Sequence, residues 1–268
     1  MTTHFSVFSL LSFKIWLVQM AAYHGFGLWF EWLDRSGSAA RFRVRPPERQ
    51  SYFEFLPRVL INQTFALLPA MVGMEALGLA YVGPAHLSAA AVIFGFAGLM
   101  VGHDVVQYVA HRLILHEPAS LRLFGHQIHH TTRASRAISA CYMSAPDFFL
   151  EIVCPYLIPL ALIGGGGSNV MFHSVVVAAG AFGGLYEHSG YDFSIDLQKK
   201  GGWRERIGKL LSSEAHGAHH SYGNVSFSDG FGSSNICDTL FGTRWDLAAK
   251  VRERRAARGP AWREAGDP

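Results

Sequence analysis

The chain has 268 residues, half of them hydrophobic and only 16% charged, with a formal net charge of +3. Because soluble domains carry about 25% charged residues, this composition indicates a membrane protein. We find no basic patch with interleaved aromatic residues that would indicate nucleic-acid binding, and three scattered cysteines predict neither a disulfide framework nor a zinc ribbon.

Three apolar stretches, at residues 5–33, 59–82 and 87–108, are each long enough to cross a bilayer as a helix. The segment 34–58 carries six arginines, and four more follow the third stretch, namely Arg112, Arg122, Arg133 and Arg136. Because short cytoplasmic loops are enriched in Arg and Lys, both polar segments are predicted to be cytoplasmic. The N-terminus has neither the basic start nor the cleavage site of a secretory signal, so none is expected.

Two further apolar segments, 148–163 and 170–186, predict a second membrane hairpin around Gly164-Gly-Gly-Gly-Ser168, which we expect to be a flexible turn. Both segments are short for complete spans, which leaves a shallow or partly inserted hairpin open. The sequence therefore predicts an all-α integral membrane protein with four to five transmembrane helices in hairpins. With the N-terminus outside, this arrangement places every histidine motif on the cytoplasmic side.

Histidines recur at regular spacing in two windows. The segments His126–His130 and His216–His220 share the pattern His-x2-His-His, whose imidazoles lie on one face of a helix. Each unit is therefore predicted to aim three imidazoles at one place. His111 and His116 are five residues apart, about 140° around a helix, but Pro118 should loosen the last turn so that His116 can swing.

Eight of the 14 histidines lie in the two windows His111–His130 and His216–His220, and a ninth, His188, lies between these windows. Imidazole suits iron, zinc, copper and nickel, whereas magnesium and calcium prefer oxygen ligands. Nine histidines exceed the needs of one first-row ion, so the sequence predicts two. The other five are interpreted as core or surface residues: His4, His24, His86, His103 and His173.

From Asp104 to Thr243 the motifs resemble the fatty acid hydroxylase / sterol desaturase superfamily. The resemblance rests on Asp104-x3-Tyr108-x2-His111-Arg112, His116, the two His-x2-His-His units, His188 and Leu240-Phe-Gly-Thr243. It implies a catalytic domain over residues 102–246 that includes the second hairpin (148–186). Membrane helices with an arginine-rich loop precede it in 1–101, and a polar tail follows in 247–268.

The resemblance is divided between two branches of that superfamily. His188-Ser-Gly-Tyr-Asp192 is similar to the sterol C4-methyl oxidase and cholesterol 25-hydroxylase branch. The spacing of four residues between His111 and His116 is instead similar to the spacing in fatty acid 2-hydroxylases. The substrate therefore stays open, whereas the implied chemistry is the same in both branches.

The resemblance implies a cytoplasmic, histidine-rich helical cap that holds two non-haem iron ions, with O2 as co-substrate. It implies nine metal ligands: His111, His116, His126, His129, His130, His188, His216, His219 and His220. Each imidazole needs an acceptor for its other ring N–H, and the candidates are Asp104, Glu187, Asp192, Glu214, Asn224 and Asp238. Asp192 is interpreted equally as a ligand, as such an acceptor or as a helix cap.

The leading hypothesis is an oxygenase that hydroxylates an unactivated C–H bond of a membrane lipid, fatty-acyl or sterol-like substrate. A lipid desaturase on the same metal centre is the close alternative. A membrane metal-binding or transport protein is a third, but it would need polar ligands at mid-membrane depth. Because the substrate is apolar, its channel is expected to rise from the cap into the bilayer.

The sequence also suggests partners and a location. It shows no fused cytochrome b5 or ferredoxin domain, so we expect a separate electron-transfer protein of either type, with its reductase. The 18 arginines against 5 lysines, and a C-terminus without a dilysine or KDEL-type signal, favour a bacterial inner membrane over the endoplasmic reticulum.

Overall fold

The computed structural model describes residues 7–228, 230, 233–248 and 253. Within these ranges the regular structure is helical, and β-pairing is limited to two isolated bridges, Arg43–Tyr191 and Ser135–Ser189. The helices are α1 (Leu11–Ser36), α2 (Tyr52–Ala76), α3 (Ala89–Leu115), α4 (Pro118–Leu123), α5 (His126–His130), α6 (Ala145–Leu162), α7 (Val170–Glu187), α8 (Ile195–Gln198), α9 (Gly202–Leu210), α10 (Glu214–Tyr222) and α11 (Ile236–Leu240). Most of the expected polar tail, 247–268, lies outside the described residues.

Four helices, α2, α3, α6 and α7, are long and apolar enough to cross a membrane, which confirms the integral membrane all-α fold. The two arms of the second hairpin, α6 and α7, have 18 residues each. At 1.5 Å per residue each arm is about 27 Å long, so partial insertion is not required. Helix α1 is longer but less apolar, and it packs along α7, where the Phe26 and Phe182 ring centroids are 5.3 Å apart.

The nine clustered histidines lie at one end of this bundle, which we call the histidine end. Helices α3 and α7 both run toward it, since His111 lies in the last turns of α3 and His188 directly follows α7. Helix α6 starts at this end and runs away from it, and α5 and α10 lie there too. The hairpin topology therefore brings histidines from distant parts of the chain to one side of the bundle.

The tetraglycine segment between α6 and α7 is a packed turn in the left-handed region, and its expected flexibility stays a prediction. Residues Gly164–Gly167 have φ angles of +88°, +75°, +69° and +62°. A Cβ at Gly165 would lie 2.6 Å from the Leu79 carbonyl oxygen, and one at Gly166 would lie 2.7 Å from the Phe172 ring. Glycine is required here because the turn combines positive φ with close backbone approach.

We expect Gly165→Ala to lower the melting temperature more than Gly164→Ala does. Both variants place alanine in the left-handed region, which costs about 1–2 kcal/mol. Only the Gly165 variant also pushes against a backbone carbonyl, because a Cβ at Gly164 meets nothing within 4 Å. Thermal unfolding in detergent measures the difference, and equal losses would mean that the turn relaxes freely.

Candidate metal centre

His111 and His116 reach the same site through a π-helical turn at the end of α3. Residues Val109–Leu115 are π-helical, and the His116 amide donates to the His111 carbonyl at 3.0 Å, an i to i+5 hydrogen bond. A π turn takes about one more residue than an α turn, so two residues five apart become neighbours. The spacing that is unfavourable on a regular helix is thus accommodated by the backbone of α3 itself.

The nine histidines form two clusters whose donor atoms lie within 4.8 Å of one another. The five-histidine cluster consists of His111, His116, His126, His130 and His219. The four-histidine cluster consists of His129, His188, His216 and His220. All nine predicted residues are therefore brought together, in two groups that could each hold one ion.

Each His-x2-His-His unit serves both clusters, which differs from the expectation that its three imidazoles converge on one place. Helix α5 contributes its first and last histidines to the five-histidine cluster and His129 to the other. Helix α10 does the reverse, with His219 alone in the five-histidine cluster. The reason is geometric: residues i and i+4 differ by about 40° around the helix, whereas i+3 and i+4 differ by about 100°.

The Nε2 atoms converge within each cluster. His126 Nε2 lies 3.2 Å from that of His111, 3.1 Å from that of His116 and 3.0 Å from that of His130. In the four-histidine cluster, His188 Nε2 lies 3.1 Å from that of His129. Two ligands about 2.1 Å from one ion are about 3.0–3.4 Å apart at angles of 90–110°. The spacing therefore suits donors around a shared cation.

Hydrogen bonds from ring nitrogens that point away from the clusters fix the tautomer of three histidines. The Nδ1 atoms of His111, His188 and His219 donate to backbone carbonyls at 2.8–2.9 Å, from Phe227, Gly184 and Val225 respectively. A carbonyl only accepts hydrogen bonds, so Nδ1 carries the proton and Nε2 presents its lone pair to the cluster. This donor set fits a first-row transition metal.

The electrostatics of the clusters favour neutral imidazoles at most positions. Burial, together with the charge of His126, lowers the pKa of His116 to about 3 and that of His130 to about 2. Neutral imidazole is the form that binds metal. At His126 itself, burial opposes the charged form, but the carboxylates of Glu151 and Asp147 outweigh it and raise the pKa to about 10. The potential there favours a cation.

Two of the predicted acceptors, Asp238 and Asp104, hold backbone segments around the site. Asp238 accepts hydrogen bonds from the Phe227 and Ser228 amides at 3.1 and 2.6 Å, and thereby fixes the carbonyl to which His111 donates. Asp104 accepts from the Ile236 and Cys237 amides at the start of α11, both at 3.0 Å.

Both carboxylate oxygens of Asp192 accept hydrogen bonds from residues outside the two clusters. Its Oδ1 accepts from Tyr186 and Ser194, and its Oδ2 accepts from Ser212 at 2.6 Å and Gln198 at 3.0 Å. These bonds join the segment after α7 to the start of α10. Among the three alternatives for Asp192, this geometry favours a structural acceptor.

The remaining three candidates lie at the edges of the site. Glu187 is on the wall of the cavity described below, Glu214 is half-buried at the start of α10, and Asn224 is exposed. In the described residues, no hydrogen bond links any of the six candidates to a histidine ring. The acceptors found are backbone carbonyls and Asp147.

Two carboxylates that the sequence interpretation missed lie against the five-histidine cluster. Asp147 Oδ1 accepts from His126 Nδ1 at 2.9 Å, and Glu151 lies beside it with 3% exposure. Both side chains form a group with His126 that could hold a metal ion. A signal was available for Glu151, because it is the single acidic residue in an apolar segment that was predicted to enter the membrane.

A cavity of about 430 Å³ opens from the clusters into the helix bundle. Glu151, His188 and His216 lie on its wall at the histidine end, and Phe96 and Val176 lie on it farther along α3 and α7. Val176 is twelve residues before His188, which corresponds to about 18 Å of helix. The volume is within the range of about 300–1,000 Å³ that is usual for ligand pockets.

The cavity wall also carries polar groups that the sequence interpretation did not assign to the site. His103, which was interpreted as a core or surface histidine, lies on this wall together with Gln107, four residues along α3. Gln107 Oε1 is buried and has no hydrogen-bond partner in the described part of the chain. The cavity is therefore apolar along most of its length and polar near the clusters.

Comparison with known proteins places the chain in a family. The family model "Fatty acid hydroxylase" matches residues 96–243, which is more than half of the chain and contains all nine clustered histidines. No curated protein and no solved structure matches the chain. Membership implies an oxidoreductase that acts on lipids, of the hydroxylase or desaturase type. The chain belongs to the fatty acid hydroxylase family, in agreement with the superfamily that its histidine motifs resemble.

Proposed function

We propose that the chain is an O2-dependent di-iron oxygenase that hydroxylates an unactivated C–H bond of a fatty-acyl or sterol-like membrane lipid. The observation that carries this proposal is that the two histidine clusters lie at one end of an apolar cavity between membrane helices, with His188 and His216 on its wall. One oxygen atom of O2 would enter the new C–O–H group. The other would leave as water, with two electrons and two protons from a donor.

In this proposal the two clusters hold one iron each. Bound iron supplies the activation of O2 that side chains cannot provide. The backbone carbonyls of Phe227, Gly184 and Val225 keep three of the imidazoles in the ligating tautomer. The apolar walls exclude water and hold an alkyl chain against the clusters, and the polar wall near His103 would accept a polar group of the substrate.

Helix α7 makes room for the substrate through its small residues. Ala179, Gly180, Ala181, Gly183 and Gly184 all lie on the cavity wall. A Cβ at Gly180 would meet nothing within 4 Å, so this position faces open space. We infer that the alkyl chain runs past Gly180 on its way to the clusters.

Gly180→Leu is expected to reduce turnover of long-chain substrates by about 10–100-fold, because a pocket that loses space for a few methylenes loses about 1–3 kcal/mol. Metal content should not change. Gly25→Leu is the matched control, since a Cβ at Gly25 also meets nothing within 4 Å but Gly25 is not on the cavity wall. Product yields across a chain-length series measure the effect, and equal yields for both variants would remove the alkyl chain from this cavity.

Electrons and membrane orientation remain part of the proposal. A separate ferredoxin or cytochrome b5-like protein with its reductase would deliver electrons at the histidine end. The segment 37–51 between α1 and α2 also lies at this end, because Arg45 donates hydrogen bonds to the carbonyls of Ser213 and Glu187. It carries four arginines, which supports a cytoplasmic location for this end. The bacterial inner membrane is the location that the sequence favours.

Product analysis under ¹⁸O2 tests the proposed function. Hydroxylation predicts one ¹⁸O atom in the lipid product, whereas a desaturase on the same centre would give a double bond without label. The desaturase is the second candidate because both reactions need the same clusters and cavity. Turnover without O2 would contradict both. Metal flux in proteoliposomes would favour a transport protein, although the clusters lie at the end of the bundle and not at mid-depth.

A further inference from the structure

Glu151 stands between the two histidine clusters. Its Oε1 atom lies 3.7 Å from Nε2 of His111, in the five-histidine cluster, and 3.9 Å from Nε2 of His129, in the four-histidine cluster. Two ligand atoms about 2.1 Å from one ion lie about 3–4 Å apart, depending on the angle between them. One carboxylate oxygen is therefore at ligand spacing from both clusters.

No arginine or lysine forms an ion pair with Glu151 within the described residues. The side chain is 3% exposed, and its ion-pair contacts within the described residues are all to histidines. Its Oε2 atom lies 3.3 Å from His126 Nδ1 and has no hydrogen-bond partner in the described part of the chain. A buried carboxylate that is poorly paired is costly, so a cation at the clusters would supply the missing interaction.

The backbone presents Glu151 at this point through a second π-helical turn. Residues Phe149–Val153 of α6 are π-helical, as are Val109–Leu115 of α3 around His111. Such turns are rare in proteins overall, and those that occur are often at functional sites. Glu151 also lies on the wall of the cavity, as do His188 and His216 of the four-histidine cluster.

We propose that Glu151 is a metal ligand shared by the two clusters. The proposal rests on the proposed function, because it requires two ions. Two divalent ions among nine neutral imidazoles would leave a buried site strongly positive, and the shared carboxylate offsets part of that charge. Its neighbour Asp147 has a different part, since it orients His126 of the five-histidine cluster alone.

Glu151→Gln separates a shared ligand from a structural side chain, because the amide keeps the shape and removes the charge. In the metal-free protein we expect a similar melting temperature, since the amide keeps the shape and Asp147 still accepts the hydrogen bond from His126. In the iron-loaded protein we expect a smaller metal-induced rise in melting temperature and iron binding weaker by about tenfold or more. Mössbauer spectra of the oxidised protein should show that magnetic coupling between the irons is lost.

Asp147→Asn is the matched control. It should weaken the binding of the ion in the five-histidine cluster, and the magnetic coupling between the irons should remain in the fully loaded protein. If Glu151 were purely structural, Glu151→Gln would lower the melting temperature equally with and without iron and would keep the magnetic coupling. That result would overturn the shared ligand and leave the proposed function intact. A wild-type chain that binds no iron would instead overturn the proposed function and, with it, the shared ligand.

Discussion

His129→Ala is expected to remove one of two metal ions and to leave the other in place. His129 is fully buried, and its Nε2 atom lies 3.1 Å from that of His188. Loss of one of four imidazoles should weaken binding at that cluster by more than about 100-fold, because even outer groups that only orient a ligand contribute 10–100-fold. Activity should fall to background, since both ions are needed in the proposed reaction.

Paired substitutions test how the ligands are divided between the clusters. His129→Ala with His220→Ala removes two ligands of the four-histidine cluster, so one ion should remain. His129→Ala with His130→Ala removes adjacent residues of one unit but one ligand from each cluster, so both ions should bind more weakly. If each unit formed its own site, the two results would be reversed. Metal stoichiometry by mass spectrometry distinguishes them.

A control for this series should be a buried histidine outside both clusters. His173 meets that condition, because it is fully buried beside the tetraglycine turn and its Nε2 atom contacts the Gly167 carbonyl oxygen at 3.0 Å. His173→Ala is expected to retain two ions per chain even if it unfolds at a lower temperature. Loss of metal in this variant would mean that stoichiometry reports general unfolding.

Gly217→Ala is expected to destabilise the protein by about 3 kcal/mol or more, although glycine to alanine in a helix normally stabilises by about 0.5–1 kcal/mol. Gly217 lies inside α10, and a Cβ there would overlap the guanidinium group of Arg45. Arg45 donates hydrogen bonds to the carbonyls of Ala134, Ser213 and Glu187 at 2.9–3.3 Å. Displacing it would leave these buried groups without their donor, which is costly.

A double-mutant cycle checks this explanation. In an Arg45→Ala background the space beside Gly217 is open, so adding Gly217→Ala should cost little or stabilise α10. Gly73→Ala in α2 serves as the control, because a Cβ at Gly73 meets nothing within 4 Å. Chemical unfolding of the four chains of the cycle gives the coupling. Additive losses would show that Arg45 is not the cause.

The sequence predicted the parts of this structure that depend on composition and period. Runs of apolar residues identified the membrane helices, because a bilayer demands a long apolar segment whatever its neighbours are. The histidine spacing selected the nine residues that the structure brings into two clusters, since residues three and four apart are neighbours on any helix. Both signals are local, which is why they survive without tertiary information.

The rest of the site depends on tertiary contacts that the sequence does not encode locally. The carbonyls that fix His111 and His219 belong to backbone that any residue type could supply. The division of each unit between two clusters depends on how α5 and α10 face each other. The π turn that joins His111 to His116 could not be predicted from the geometry of a regular α-helix. Glu151 gave a signal, but its place between two clusters needed the fold.

The most direct test of the central claim is the iron content of wild-type chain purified without oxygen from iron-sufficient cells. The account predicts two irons per folded chain, with both retained in His173→Ala and both bound more weakly in the His129→Ala, His130→Ala double variant. Folded wild-type protein that contains no iron, and that takes up none when iron(II) is supplied anaerobically, would contradict the di-iron oxygenase.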